Sequence, residues 1–147
     1  MTHGPLGRRE VRELPRLDAG SRFRVTEVAD VLGEIGPAAA AALPRLRELL
    51  DDTYDWVRVH AAAALWAIGG EPGAPAVLGV LLPAWEQNPA TGRRVVPCLD
   101  RMGPAAAPAV PLLRARLELP GRADMWAGIE EDEKQQADCR ALLARLG

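Results

Sequence analysis

The residue types that carry catalysis or bind metals are few and widely separated in this sequence. Histidine occurs only at His3 and His60, and cysteine only at Cys98 and Cys139. No Cys-X-X-Cys pair, His-Glu-X-X-His segment, phosphate-binding glycine loop or nucleophile elbow is present, although the common metal, nucleotide and hydrolase sites need those spacings. The sequence therefore predicts no catalytic residue, no metal site and no cofactor, and it indicates a protein that is not an enzyme.

A run of acidic side chains, Glu130–Glu133, is the remaining cluster of ionisable groups. Carboxylates are stabilised at the start of a helix by the positive end of the helix dipole. A predicted helix runs from about Asp132 to Leu146, so we interpret the acidic run as a helix start and not as a cation site.

Charge and hydropathy argue against nucleic acid and membrane as partners. The net charge is −2, and no basic face of the kind that neutralises many phosphates is visible. The 17 arginines stand against the single Lys134, a bias typical of a GC-rich genome. No apolar run approaches the ~20 residues of a membrane span, and the N-terminus lacks the apolar centre of a signal peptide. These features predict a cytoplasmic protein whose two cysteines are buried in helices.

The segment Asp55–Gly69 has the strongest helical pattern of the chain. Asp55 is predicted to cap the helix, and Gly69 and Gly70 are predicted to end it. Aromatic residues make up only 4% of the chain, and alanine, leucine and arginine are abundant, which favours an all-α fold. One apolar stripe follows the helical period and consists of Val57, Ala61, Ala64, Leu65 and Ile68.

A repeat emerges when the chain is aligned on the glycines that follow each such segment. These are Gly36, Gly69, Gly103 and Gly147, at intervals of 33, 34 and 44 residues. After each of the first three, the sequence predicts a second helix over Pro37–Asp52, Ala74–Gln87 and Pro104–Leu119. Pro44 and Pro111 are compatible with these helices if they lie in the first turn, where the missing N–H has no partner. A helix–turn–helix unit at a period in the thirties is typical of an α-solenoid.

The chain resembles the HEAT repeat over about residues 21–147, in the short form first associated with phycobilisome lyases. The resemblance implies a right-handed α-solenoid of three to four repeats at about 21–52, 53–87, 88–119 and 120–147, with residues 1–20 as a tail or degenerate cap. It also implies that Arg58 pairs with an aspartate of the preceding turn. The motif that carries the resemblance is Leu43-Pro44, Leu46, Leu49-Leu50, Asp51-Asp52, Val57-Arg58, Ala61-Ala62, Ala64-Leu65 and Ile68-Gly69.

Two departures from the repeat have structural consequences. Gly92 stands at the position of Arg58, and Pro97 interrupts the third unit, so its first helix is predicted to be short or bent. The last interval is ten residues longer and predicts an inserted loop. The last unit lacks a second helix, which predicts an uncovered side that meets a partner, another copy of the chain or a larger array.

The repeat pattern, together with the lack of a catalytic constellation, predicts a non-catalytic protein-interaction or scaffold module. The family resemblance implies that the second helices line the concave side. There, Arg47 and Arg114 are predicted to flank an apolar spot formed by Leu81 and Trp85. Such a groove suits a peptide with a hydrophobic anchor and acidic neighbours. The alternative is that Leu81 and Trp85 belong to the core and the arginines only solvate the face.

A second candidate surface lies on the outer side of the middle repeat, where Val59, His60 and Trp66 depart from the repeat pattern. They are predicted either to form an interface patch or to be covered by the N-terminal tail or a neighbouring helix. Trp126, in the inserted loop, is predicted either to cover the core of the neighbouring repeat or to form a contact site.

Two other functions stay open at this point. HEAT-like folds include DNA glycosylases, and the resemblance would then assign Trp85, Arg47, Arg114 and Asp100 to a groove for nucleic acid. The other is a role as a bilin-lyase component, by analogy with the proteins in which the short repeat was first recognised.

Overall fold

A computed structural model describes residues 19–118 and 128–147, and within these two ranges the chain is helical and contains no strand. The all-α prediction is therefore confirmed. The α-helices are α1 (Ala19–Ile35), α2 (Leu43–Leu49), α3 (Asp55–Gly69), α4 (Ala74–Gln87), α5 (Gly92–Met102), α6 (Val110–Glu118) and α7 (Ile129–Leu146). Short 3-10 helices lie between them at Gly36–Ala42, Glu71–Gly73, Pro89–Thr91 and Gly103–Ala109. We call α1, α3, α5 and α7 the first helices and α2, α4 and α6 the second helices.

Glycine ends the first helices where the sequence places it, with one shift of position. Gly36, Gly70 and Gly103 have φ values of +75°, +67° and +57°, and no other described residue has a positive φ. Gly70 combines this φ with a ψ of −150°, a region that only glycine adopts readily. In the middle unit the conformational break thus falls one residue after Gly69, which is still helical.

The start of α3 differs from the prediction. The cap position is taken by Tyr54, which makes no side-chain capping bond. The carboxylate of Asp55 instead accepts a hydrogen bond from the N–H of Trp56 at 2.8 Å and one from Asn88 Nδ2 at 2.8 Å. Asp55 is the first residue of α3. Its carboxylate stabilises both the start of this helix and the loop before α5.

The two outer second helices each have two parts. A 3-10 segment rich in alanine leads into α2 and another leads into α6. Pro44 and Pro111 are the second residues of α2 and α6, within the first turn, where a missing N–H costs no hydrogen bond. The middle second helix, α4, has the predicted bounds.

Helix α5, the first helix of the third unit, is short, as its sequence predicts. It has 11 residues, against 17 in α1 and 15 in α3, and contains Pro97. Gly92, at its start, is buried, and a Cβ atom there would lie 2.4 Å from Gln135 Nε2 and 2.5 Å from Trp85 Nε1. The side chains of Trp85 and Gln135 therefore fill the space beside this residue, which explains the glycine at the position that Arg58 occupies in α3.

Helix α3 lies at the centre of the packing and contacts α1, α2, α4 and α5. Its predicted apolar stripe is buried, and so are Val59, Ala62 and Ala63. The approach of α1 is close, since a Cβ atom on Gly33 would lie 3.5 Å from the Cα of Ala64. Small residues at this crossing let the two backbones approach, and dispersion contacts gain from the short distance.

Cys98 and Cys139 are buried and free, as predicted. Burial raises the pKa of each thiol from its ordinary value of 9.0 to about 11. Among the described residues no helix is both long and apolar enough to cross a membrane.

Replacement of Gly92 by alanine tests the explanation of the short helix. Because the added methyl group would overlap the Trp85 indole and the Gln135 amide, we expect Gly92→Ala to lower the free energy of unfolding by about 1–3 kcal/mol. The measurement is urea denaturation followed by circular dichroism.

Gly79→Ala in α4 is the matched control for Gly92→Ala. No atom lies within 4 Å of its added methyl group, so we expect this variant to be as stable as the wild type or about 0.5–1 kcal/mol more stable. Equal stability of the Gly92→Ala variant and the wild type would contradict the steric account.

The raised thiol pKa values predict low reactivity. At mildly alkaline pH the thiolate fraction of Cys98 and Cys139 should be about a hundredfold below that of a free cysteine, because each pKa rises by about two units. We expect slow labelling by a disulfide reagent in the folded protein and fast labelling of both thiols in denaturant. The same shifts should make the free energy of unfolding fall as the pH rises above 9.0, because only the unfolded thiols ionise there.

Candidate functional site

The predicted apolar spot on the concave side does not exist at the surface. Leu81 is 0% exposed and Trp85 is 1% exposed, so both belong to the core, which is the alternative that the sequence left open. Arg116 closes over Trp85: its guanidinium carbon lies 5.5 Å from the ring centroid, and its Nη2 donates a hydrogen bond to the Trp85 carbonyl. Arg47 and Arg114 are exposed, but the apolar residues that they were predicted to flank are buried in the core.

Val59 on the outer side of α3 is 0% exposed, which agrees with the alternative that a neighbouring element covers this position. Helix α3 is in contact with α1, α2, α4 and α5. Residues outside its predicted apolar stripe are therefore buried too. Trp66 is half-buried and packs against the core, and only His60 of the three lines a surface cavity. Trp126 and the tail up to residue 18 lie outside the described residues.

The pairing that the family resemblance implies for Arg58 is found in altered form. Arg58 Nη1 donates a hydrogen bond of 2.7 Å to the main-chain carbonyl of Asp52, not to a carboxylate. The Asp52 carboxylate accepts instead from the N–H of Tyr54 at 2.9 Å. Together these bonds fix the turn that leads into α3.

The starts of α1, α3 and α5 lie side by side and enclose a groove of about 730 Å³, which we call the aromatic groove. It combines aromatic rings with charged side chains from residues that are far apart in the sequence. Its lining consists of Arg22, Phe23, Thr26, Glu27, Asp30, Tyr54, Trp56, His60, Arg93 and Arg94.

Two aromatic side chains are exposed in this groove. Phe23 is 64% exposed and Tyr54 is 40% exposed, and exposed apolar groups that lie together can form a contact surface. The guanidinium of Arg22 lies 5.0 Å from the Tyr54 ring centroid, and that of Arg93 lies 4.8 Å from the Trp56 ring centroid. These distances are within the range of cation–π attraction, which holds the arginines over the ring faces.

A carboxylate at the base of the groove joins its three helices. Asp30 Oδ1 on α1 is 2.7 Å from His60 Nδ1 on α3, and the same oxygen accepts a hydrogen bond from Arg94 Nη2 on α5. The carboxylate accepts, so His60 carries its hydrogen on Nδ1. The His60 ring also lies 6.2 Å from the Trp56 ring, centroid to centroid, so the network fixes the aromatic wall as well.

The groove has donor capacity that the described residues leave unused. The Nε atoms of Arg22 and Arg94 are buried and have no hydrogen-bond partner in the described part of the chain. Three arginines and two acids, Glu27 and Asp30, line the groove. Asp30 already pairs with His60 and Arg94. The lining therefore has one arginine more than it has carboxylates, and this excess of positive charge favours an anionic ligand.

The described residues have their shifted pKa values away from the groove. They hold no group of three or more His, Cys, Asp or Glu side chains placed to bind a metal ion. The shifted pKa values belong to buried thiols and to Arg116, whose pKa is lowered chiefly by burial, and none of these three groups lines the groove.

Sequence reasoning found only His60 of this groove. One signal was available: Phe23 and Trp56 are 33 residues apart, so an aromatic residue occupies the same place in two successive repeats. The adjacent pair Arg93-Arg94, in the first turn of α5, was a second signal. Neither pattern shows which side chains meet, because that depends on how α1, α3 and α5 pack.

Comparisons with known proteins give no match: no family model, no curated protein and no solved structure is similar to this chain. Any inference about function therefore rests on the geometry of the groove.

The Asp30 network predicts a specific loss of stability. Removing the carboxylate leaves His60 and Arg94 facing each other without their common acceptor, so we expect Asp30→Ala to lower the free energy of unfolding by about 1–3 kcal/mol. Urea denaturation measures this change.

Glu27→Ala is the control for Asp30→Ala, because Glu27 lines the same groove but is exposed. Its effect should stay within about 0.5 kcal/mol of zero. If Asp30→Ala is as mild as Glu27→Ala, the network does not stabilise the junction of the three helices.

Proposed function

We propose that this protein is a non-catalytic interaction module that binds a protein or peptide segment through the aromatic groove. The observation that carries the proposal is the combination of exposed Phe23 and Tyr54 with arginines held over aromatic rings, on three helices that one carboxylate joins. Tyrosine, tryptophan and arginine are the residues most enriched where binding energy concentrates in protein interfaces.

The chemistry of the groove defines the ligand that suits it. Its rings provide apolar contact area, and the guanidinium groups of Arg22 and Arg93 have no carboxylate partner among the described residues. A segment that carries an apolar side chain beside aspartate or glutamate would satisfy both features. Arginine pairs with carboxylates through two parallel hydrogen bonds, which adds orientation to affinity.

Rigid helices support this mechanism of binding. The groove is formed by helix starts and not by long loops, and the Asp30 network fixes the relative positions of α1, α3 and α5. A preformed surface loses little conformational freedom when a ligand binds, so less of the interaction energy is offset by ordering.

We also propose that the helices form a HEAT-like α-solenoid. The support is that glycines with positive φ recur at Gly36, Gly70 and Gly103, about one period apart, and that α1, α3 and α5 each precede a second helix. Neighbouring first helices also contact one another. Repeat proteins of this type bind partners along extended surfaces formed by successive units, as the aromatic groove would.

Nucleic acid has weaker support as a ligand. Trp85, which a groove of the glycosylase type would need at the surface, is 1% exposed. The net charge of −2 also gives no general attraction to phosphates.

Short synthetic peptides that share one leucine-containing core and differ only in charge test the proposed ligand class. We expect the acidic peptide to bind at least about tenfold more tightly than the neutral one, a difference of about 1.4 kcal/mol, and the basic peptide not to bind. Fluorescence anisotropy of labelled peptides measures the affinities, and duplex DNA of matched length serves as a further probe.

Variants assign any binding to the groove. Arg93→Ala should weaken binding of the acidic peptide by about tenfold or more, because it removes a cation held over Trp56. Arg101→Ala is the matched control, since Arg101 is exposed on the same helix but does not line the groove. Equal affinity for all three peptides, or equal loss in both variants, would refute the proposal.

A further inference from the structure

Three equivalent positions on the first helices are buried or half-buried in α3, α5 and α7 but exposed in α1. In α1 they hold Val28, Val31 and Ile35, whose side chains are 56%, 54% and 53% exposed. Aligning the chain on Gly36, Gly69, Gly103 and Gly147 gives the corresponding residues in the other first helices. They are Ala61, Ala64 and Ile68 in α3, Val95, Cys98 and Met102 in α5, and Cys139, Leu142 and the half-buried Leu146 in α7.

On α3 this face is covered by the helix before it. Ala64 lies against Gly33 of α1, whose Cβ position is 3.5 Å from the Ala64 Cα. Helix α1 presents the same face, with larger side chains, to no helix of the described chain. Burying valine and isoleucine side chains removes apolar surface from water, so a covering helix would stabilise this face.

The opposite end of the described chain presents the matching surface. Helix α1 faces α3 through Asp30, which meets His60, and through Gly33. When Gly147 is aligned with Gly36, Ala141 and Ala144 of α7 take the positions of Asp30 and Gly33. Both alanines are exposed. Ala137, one turn earlier, is exposed too. Small side chains are what close packing against this face requires, as Gly33 shows against Ala64.

We propose that α1 of one copy packs against α7 of a second copy, in the register with which α3 packs against α1. Val28, Val31 and Ile35 would then lie against Ala137, Ala141 and Ala144. The exposed charges beside the two faces include Glu34 on α1 and Arg140 on α7, which have opposite signs. The contact is independent of the aromatic groove, because it uses another side of α1.

This contact joins two different surfaces, so each copy keeps one free surface of each kind. Head-to-tail contacts of this type do not close into a dimer; they extend into rings or open chains. The expected product is therefore a series of oligomers that lengthens with protein concentration, and not a single symmetric dimer.

The test uses one variant for each surface. Val31→Glu introduces a charge into the face on α1, and Ala141→Glu introduces one into the face on α7. Sedimentation velocity should show wild-type species larger than a dimer as concentration rises, and each variant alone should stay monomeric. An equimolar mixture of the two variants should form a heterodimer and nothing larger, because only one intact pair of surfaces remains.

Ala76→Glu, at an exposed position of α4, is the control and should associate like the wild type. Ile35→Glu and Ala144→Glu form a second pair if either first variant is misfolded by circular dichroism. A wild type that stays monomeric at all concentrations would overturn the proposal. If Val31→Glu also lowers the melting temperature of that monomer, residues before Ala19 are the occupant of the face instead. A mixture that stays monomeric would likewise exclude the α1–α7 contact.

Discussion

The close approach of α1 to α3 is the contact on which the rest of the structure depends. Gly33 and Ala64 allow the two backbones to come within contact distance, and α3 then meets α2, α4 and α5 on its other sides. A side chain larger than a methyl group at this crossing would separate the helices and lengthen the distance from Asp30 to His60. The aromatic groove therefore depends on two small residues that do not line it.

Burial in this fold is decided by the number of neighbours a helix has. The sequence identified α3, its apolar stripe, the second helices, the first-turn prolines and the short α5, because each follows from local periodicity and from glycine or proline chemistry. It left open whether Val59, Leu81 and Trp85 are exposed or buried. These side chains lie outside an apolar stripe or on a supposed open face, and only the packing of helices distant in sequence shows that they are covered.

The candidate site, too, could be predicted only in part from local sequence patterns. Asp30 and Arg94 are 64 residues apart, and no spacing rule connects them. The individual signals, an aromatic residue at the same place in two repeats and an arginine pair at the start of a helix, are visible in the sequence. Their convergence is not, because it requires α1, α3 and α5 to pack so that Asp30, His60 and Arg94 meet. Local chemistry could be predicted here, whereas long-range register could not.

The hydrogen bonds of Asp30 also bear on how the molecule unfolds. In a linear array of helix pairs each unit interacts only with the next, so the ends can fray one unit at a time. Asp30 makes bonds both to α3 and to α5, one first helix further along. A fluctuation that detaches α1 must therefore break a link to a helix that is not its neighbour. This bridging raises the cooperativity of the N-terminal half, and amide hydrogens in α1 should exchange together with those of α3 and α5 and not ahead of them.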